Sequence, residues 1–398
     1  MGNRGRELVG LPCGTAVAKP RPYRRSPAYP SCEMKPAPNI PNAPLRLLII
    51  MPKWVGDVAM ATPTLRLIRQ ALPGAFIGGL VRPGIDEVLA GSDVFDELHV
   101  ERASGVMGPK FVAAKLRPRR YDTALLLTGS FSTALTARIA GIPRRIGYDR
   151  DSRGLLLTDK VRPLTLPNGK WKPISAVHYY YTLARRFLPL NKVSANLPEA
   201  RVPAGRLIEL ATTPAEEHAA DQLLARADVP PTSPMAILNP GANSEVKRWP
   251  TDRFAAVADY LASRHGLTVL VNGGPAERDL VATLAAACTH KPIQLTQLGG
   301  SLGSLKAITR RCRLMVTNDT GPRFIAAAFG VPVITLMGPT DHRWSTIETR
   351  SEGPEALILA DPTLPDELVA NDHQERCRMD RIELKDVIAA ADKLLALR

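Results

Sequence analysis

Hydrophobic positions along the chain form short apolar runs, each followed by a stretch in which apolar residues recur every three or four positions. The run Leu47-Leu-Ile-Ile-Met51 is continuous, as in a strand buried on both faces. Residues 57–70 then carry helical spacing. The same alternation predicts strands at 76–81 and 123–127 and helices at 85–90 and 130–140. Further along, it predicts strands at 235–238, 267–271, 314–316 and 331–337, with helices at 254–264, 276–288, 304–311 and 321–329. Strand, loop and helix repeated in this order predict an α/β protein with parallel sheets and helices on both faces. A last helix over 382–397 places Leu384, Val387, Ile388, Ala391, Leu394 and Leu395 on one face.

The alternation is interrupted twice. Residues 1–44 are rich in Pro, Arg and Lys without periodicity, which predicts a disordered basic tail; Met34 offers an alternative start. Residues 189–206 contain Pro189, Asn191, Pro198 and Pro203 and read as a linker. Two Rossmann-like halves are therefore expected to face each other across a cleft, 45–188 and 207–379. The closing segment 380–398 is a helix able to pack back on the first half. A length of 398 residues suits this division better than a single core.

Composition narrows the picture. The chain is 45% hydrophobic and 23% charged, ordinary for a folded soluble protein. It has no apolar run of the ~18 residues that a membrane helix needs, and no secretory signal pattern. Its net charge of +14 favours anionic partners such as nucleotides, phosphorylated sugars or acidic membrane surfaces. No nucleic-acid-binding motif accompanies that charge. The five cysteines, Cys13, Cys32, Cys288, Cys312 and Cys377, have neither paired nor zinc-ligand spacing. Reduced thiols and no metal site are expected.

Open α/β sheets bind ligands beyond the carboxyl ends of their strands, so loops after strands carry the candidate chemistry. The first is Met51-Pro-Lys-Trp-Val-Gly-Asp57. Gly56 allows close approach of a ligand, and Asp57 is either a helix N-cap or a general base facing the cleft. The second, Asn239-Pro-Gly-Ala-Asn-Ser-Glu-Val-Lys-Arg-Trp-Pro250, sets Lys247 and Arg248 among small polar residues, as diphosphate recognition requires. The third is Val271-Asn-Gly-Gly-Pro-Ala-Glu277. There Glu277 either meets ribose hydroxyls or merely complements a helix dipole. The fourth, Thr317-Asn-Asp-Thr-Gly-Pro-Arg323, opens a helix whose free amides suit a phosphate; Thr320 and Gly321 would face it. Asp319 would order that loop, and Arg323 would add charge or lie in solvent. Neither a Walker A motif nor G-x-G-x-x-G occurs, so no nucleotide cofactor is expected.

In order and spacing these loops resemble the ADP-heptose:lipopolysaccharide heptosyltransferases, glycosyltransferase family 9. The resemblance spans Leu45 to the C-terminus. It rests on Trp54-Val-Gly-Asp-Val58, Pro240-Gly-Ala242, Lys247-Arg-Trp-Pro250, Asn318-Asp-Thr-Gly321, Ala326-Ala-Ala328, Gly338-Pro-Thr340 and Cys377-Arg-Met379. The Trp-Val-Gly-Asp and Lys-Arg-Trp-Pro forms lean toward the heptosyltransferase II branch. The resemblance implies the GT-B fold and an inverting, metal-independent transfer of heptose from ADP-L-glycero-β-D-manno-heptose to an inner-core lipopolysaccharide acceptor. Carried over by motif, Asp57 is the base and Lys247 stabilises the diphosphate. Asn243 and Ser244 assist, Glu277 holds the ribose, and Asp319, Thr320 and Gly321 contact the donor, with Arg323 as added charge. A cytoplasmic monomer, peripheral to the inner membrane and acting on a glycolipid, is implied.

One position departs from the family pattern. A His commonly follows the Asp-Thr-Gly turn by three residues, and here that residue is Phe324. Loss of one preorganised hydrogen-bond donor costs ~2.7–4 kcal/mol in a transition state. The departure leaves open another nucleotide-sugar donor or acceptor on the same fold, or a non-catalytic nucleotide-sugar binding relative.

Overall fold

A computed structural model describes residues 46–101, 105–167, 169–187, 207–351 and 353–397. The expected tail, 1–44, and linker, 189–206, lie outside the described residues. The first half runs β1 (Arg46–Ile50), α1 (Val55–Ala71), β2 (Phe76–Val81), α2 (Ile85–Leu89), β3 (Glu97–Val100), α3 (Gly108–Leu116), β4 (Thr123–Leu126), α4 (Phe131–Ile139), β5 (Arg144–Tyr148), β6 (Asp159–Val161) and α5 (Ala176–Phe187). Then follow α6 (Pro214–Arg226), β7 (Met235–Asn239), α7 (Thr251–His265), β8 (Thr268–Val271), α8 (Arg278–Ala287), β9 (Ile293–Gln294), α9 (Leu295–Leu298) and α10 (Leu302–Arg310). The second half ends with β10 (Cys312–Asn318), α11 (Gly321–Ala328), β11 (Val333–Met337), β12 (Glu355–Leu359) and α12 (Leu384–Leu395).

Each half contains a six-stranded sheet, ordered β3-β2-β1-β4-β5-β6 and β12-β11-β10-β7-β8-β9, in which every strand pair is parallel. Counted within its own half, the second order is the same as the first read from the other edge. Both are doubly wound, and each has a topological switch point, between β1 and β4 in one sheet and between β7 and β10 in the other. Apart from Arg46 at the start of β1, the strands β1, β4, β7 and β11 are buried, which explains their apolar runs. Strands β3, β5 and β6 escaped the hydrophobic pattern because they lie toward an edge and carry charges such as Arg144, Arg145 and Asp159.

In the first half, α1, α2 and α5 cover one face of the sheet, and Phe324, Ala327 and Ala328 of α11 join their core. Helices α3 and α4 cover the opposite face in a core without second-half residues. The α1 side therefore meets the second half, and the α3/α4 side faces away from it. The closing helix departs from expectation. Val387, Ala391, Leu394 and Leu395 of α12 pack with Trp249, Val316 and Leu336 in the second half's own core. The predicted apolar stripe is buried, but the complementary surface is the β10–β12 side of the second sheet, not the first half.

Candidate active site

The loops at the two switch points meet in a cavity of about 900 Å³ between the halves. The first half contributes Trp54, Gly56, Asp57 and Met60, and the second contributes the loops after β7, β8 and β10. Asn318, the last residue of β10, ties two of these loops together. Its amide Nδ2 donates to the carbonyls of Pro240 (2.8 Å) and Gly241 (3.2 Å), and its Oδ1 accepts from the Trp249 amide (3.2 Å). Trp249 is in turn anchored by its Nε1 on the Ile382 carbonyl, 3.0 Å away. The basic loop is thus pinned at its start and end and can present Lys247 and Arg248 at the cavity between them.

Asp57 is the third residue of α1. The N-cap position belongs to Trp54, which makes no side-chain cap, so the capping role weighed for Asp57 is not taken. The Asp57 carboxyl is pushed up to about 6, first by burial and then by the charge of Asp319 from the second half, with Lys53 opposing. Behind it, burial and the Asp57 charge raise the hydroxyl of Tyr180 on α5 well above the usual tyrosine range. An aspartate with its carboxyl raised to about 6 is still mostly ionised at physiological pH, and so free to accept a proton, while it is a stronger base than an ordinary aspartate.

The N-termini of α1 and α11 abut. A Cβ on Gly321 would fall 2.9 Å from Val55 Cβ, and one on Gly56 would fall 2.6 Å from the Phe324 ring. The starts of two helices therefore open on the same cavity, an arrangement whose dipoles favour an anion. At α11, Pro322 carries no N–H and the Arg323 amide donates to the Thr320 carbonyl at 3.2 Å, which leaves Gly321 as the amide of that turn. Lys247 lines the cavity with no ion-pair partner among the described residues. Arg248 donates to the Ala242 carbonyl at 3.1 Å, while its Nε is buried without a partner. Glu277 lies against Gly241 and accepts from the Gly274 amide at 2.7 Å; it lines the cavity as well.

Asn243, Asp319, Thr320 and Gly321 also line the cavity, whereas Ser244 sits outside its wall. Arg323 requires a correction. It is 1% exposed and turned into the interior, where Nε and Nη2 grip Glu355 at 2.5 and 3.0 Å. Nη1 reaches Ser345 Oγ at 2.9 Å and Asp319 at 3.4 Å. A guanidinium so enclosed is neither a solvated charge nor a free cation for a donor phosphate; a buried carboxylate on the edge strand β12 has captured it. Burial alone would raise Glu355, but Arg323 and Thr335 outweigh it and hold the carboxyl below its ordinary range.

Several wall residues were not legible in the sequence. Thr296, Ser301 and Trp344 come from segments without a motif that bears on chemistry. Gly338-Pro-Thr340 did carry a signal, and the structure supplies its reason: Gly338 packs against Met379 and the Cys377 carbonyl, which joins two separate sequence signatures. Cys288, Cys312 and Cys377 are free and buried; Cys13 and Cys32 lie outside the described residues. Among the described residues, no group of three or more His, Cys, Asp or Glu gathers in metal-ligand fashion.

Comparison with known proteins agrees with this geometry. Lipopolysaccharide heptosyltransferase 2 of Escherichia coli K12 is 28% identical over 304 residues, covering 74% of this chain and 83% of the relative. The solved glycosyl transferase family 9 protein of Veillonella parvula superposes with a TM-score of 0.72 at 22% identity, covering 89% of this chain and 98% of that one. Escherichia coli ADP-heptose lps heptosyltransferase II gives 0.71 at 23%, covering 88% and 99%. These likenesses establish the GT-B fold. Residues 111–353, more than half of the sequence, match glycosyltransferase family 9 (heptosyltransferase), and the chain therefore belongs to that family of glycosyltransferases.

Proposed function

We propose that the chain transfers heptose from ADP-L-glycero-β-D-manno-heptose to an inner-core lipopolysaccharide acceptor, with inversion at the anomeric carbon. The observation that carries this reading is Asp57, raised in basicity by burial on the wall of a cavity that Lys247 lines from the second half. The acceptor hydroxyl oxygen attacks the anomeric carbon from the face opposite the diphosphate, and its proton passes to Asp57. The anomeric C–O bond breaks, and its electron pair leaves with ADP. Lys247, Arg248 and the amide and dipole at the start of α11 offset the charge that develops on the diphosphate, with Thr320 and Gly321 nearest to it. Asn243 assists at the phosphates, Glu277 meets the ribose, and Asp319 meets the donor sugar. No metal takes part. The protein acts as a monomer on the cytoplasmic side, peripheral to the inner membrane.

The test uses purified protein with ADP-heptose and a heptose-deficient core acceptor. Product is expected with wild type and to persist in EDTA. Asp57→Ala is expected to lose turnover by roughly 10²–10⁴-fold while still giving an ADP-dependent thermal shift. Equal turnover by the variant rejects Asp57 as the base. Phe324 at the position of the usual His supports a second reading, a different nucleotide-sugar donor; a larger thermal shift with a UDP- or GDP-sugar than with ADP-heptose selects it.

A further inference from the structure

Exposed large apolar side chains are distributed unevenly over the molecule. In the first half they gather where strands give way to helices at the carboxyl end of the sheet. Trp54 begins α1, Val106 and Met107 lead into α3, Phe111 occupies its first turn, Phe131 opens α4, and Leu155 follows β5. Because all six strands are parallel, these positions share one rim. Two of them protrude almost completely, Val106 at 96% and Leu155 at 93% exposure. Helices α3 and α4 lie on the sheet face turned away from the second half, so this part of the rim has no partner in the fold.

The charges on the same rim follow a pattern of their own. Lys53, Arg82 and Arg162 follow the carboxyl ends of β1, β2 and β6, Lys110 lies in the first turn of α3, and all four are exposed. None has an ion-pair partner among the described residues, whereas Glu101, which follows β3, is already paired with Lys115, and Arg119, toward the other end of the sheet, is paired with Glu97. Between residues 105 and 120 there is no acidic residue. No described helix is long and apolar enough to cross a membrane.

We propose that this rim docks on a lipid bilayer bearing anionic headgroups, with Val106, Met107 and Phe111 entering the headgroup–acyl boundary and the unpaired cations meeting lipid phosphates. Single protruding apolar tips set among unpaired cations fit a soft, anionic interface; a protein partner would call for a flatter, continuous apolar patch. The inference rests on the glycolipid-acceptor reading, because the rim includes Trp54 and the mouth of the cavity that holds Asp57. Docking there would bring a membrane-anchored acceptor to the cavity without crossing the molecule.

The experiment is co-sedimentation of the full chain with vesicles of phosphatidylcholine alone or with about a third phosphatidylglycerol. Wild type is expected to partition onto the anionic vesicles and to be released by salt. The triple variant V106S/M107S/F111S is expected to lose roughly tenfold or more in partitioning, and Lys110→Glu to lose the salt-sensitive part. Both should keep the wild-type melting temperature and ADP-dependent shift, so failure here is distinguishable from failure of the donor reading. The proposal is overturned by wild type that stays in the supernatant or by a triple variant that partitions like wild type. It is equally overturned if the triple substitution instead converts a dimer to a monomer, or if RNA or an acidic protein binds the rim in preference to vesicles.

Discussion

The ring of Phe324 fills the space that a β-carbon on Gly56 would need, 2.6 Å from Cε2. This contact joins the first turns of α1 and α11 and thereby sets how closely the two halves approach at the cavity. Phe324 stands where the family commonly has a polar His, and here the side chain has become part of the first half's core.

Gly56→Ala should consequently force the helix starts apart. Overpacking of this kind costs about 1–3 kcal/mol. Because Asp57 is the next residue, turnover should fall further than stability does. Urea titration gives the stability and a coupled ADP-release assay gives the rate; a variant with unchanged kcat would show that the approach of α1 and α11 does not matter to the chemistry.

The raised carboxyl of Asp57 has consequences with definite signs. Its value in the fold, about 6, lies above its ordinary 3.8, so the folded state holds the proton more tightly than the unfolded chain. Stability should therefore decline as pH rises from about 4 to about 6, by at most about 3 kcal/mol, and stay lower above that window. Asp57→Asn should raise the melting temperature at pH 8 and leave it nearly unchanged at pH 4. In wild type, kcat/KM should rise with pH through an apparent pKa near 6.

Asp319 supplies part of that shift from across the cleft. Asp319→Asn should lower the Asp57 pKa and move the acid limb of the pH–rate profile toward lower pH. A profile whose midpoint does not move would leave burial as the sole cause.

Arg323 and Glu355 form a buried pair in which each charge depends on the other. Arg323→Met leaves Glu355 enclosed without its guanidinium and should destabilise the fold by about 3–5 kcal/mol. The double variant R323M/E355L should recover most of that loss, because replacing both charges removes the uncompensated one. Thermal melts of the two variants provide the comparison.

Lys306 is wholly buried, and its ammonium spans the halves. It is 3.0 Å from Glu216 and donates to the carbonyls of Ala211 (2.8 Å) and Ala90 (3.1 Å), the latter at the end of α2. Close by, the Gly303 amide donates to Glu87 across the same boundary at 2.9 Å. Lys306→Met should destabilise the protein by about 3–5 kcal/mol, since it strands Glu216 and uncaps α2. Chemical denaturation measures this directly.

What the sequence determined by itself follows from local rules. Apolar runs such as 47–51 and 331–337 identified central strands because burial on both faces requires unbroken hydrophobicity. Loops directly after such strands offered Asp57, Lys247, Glu277 and Asp319 as candidates, and all four line the cavity, because a parallel sheet opens its ligand crevice there. The tertiary structure alone decided what depends on residues distant in sequence. It sent Arg323 inward, because Glu355, 32 residues away, lies beneath it. It seated α12 on the second sheet, because the complementary apolar surface is there. It placed Asp319 where its charge reaches Asp57, a pairing of carboxylates from two halves that no local spacing encodes.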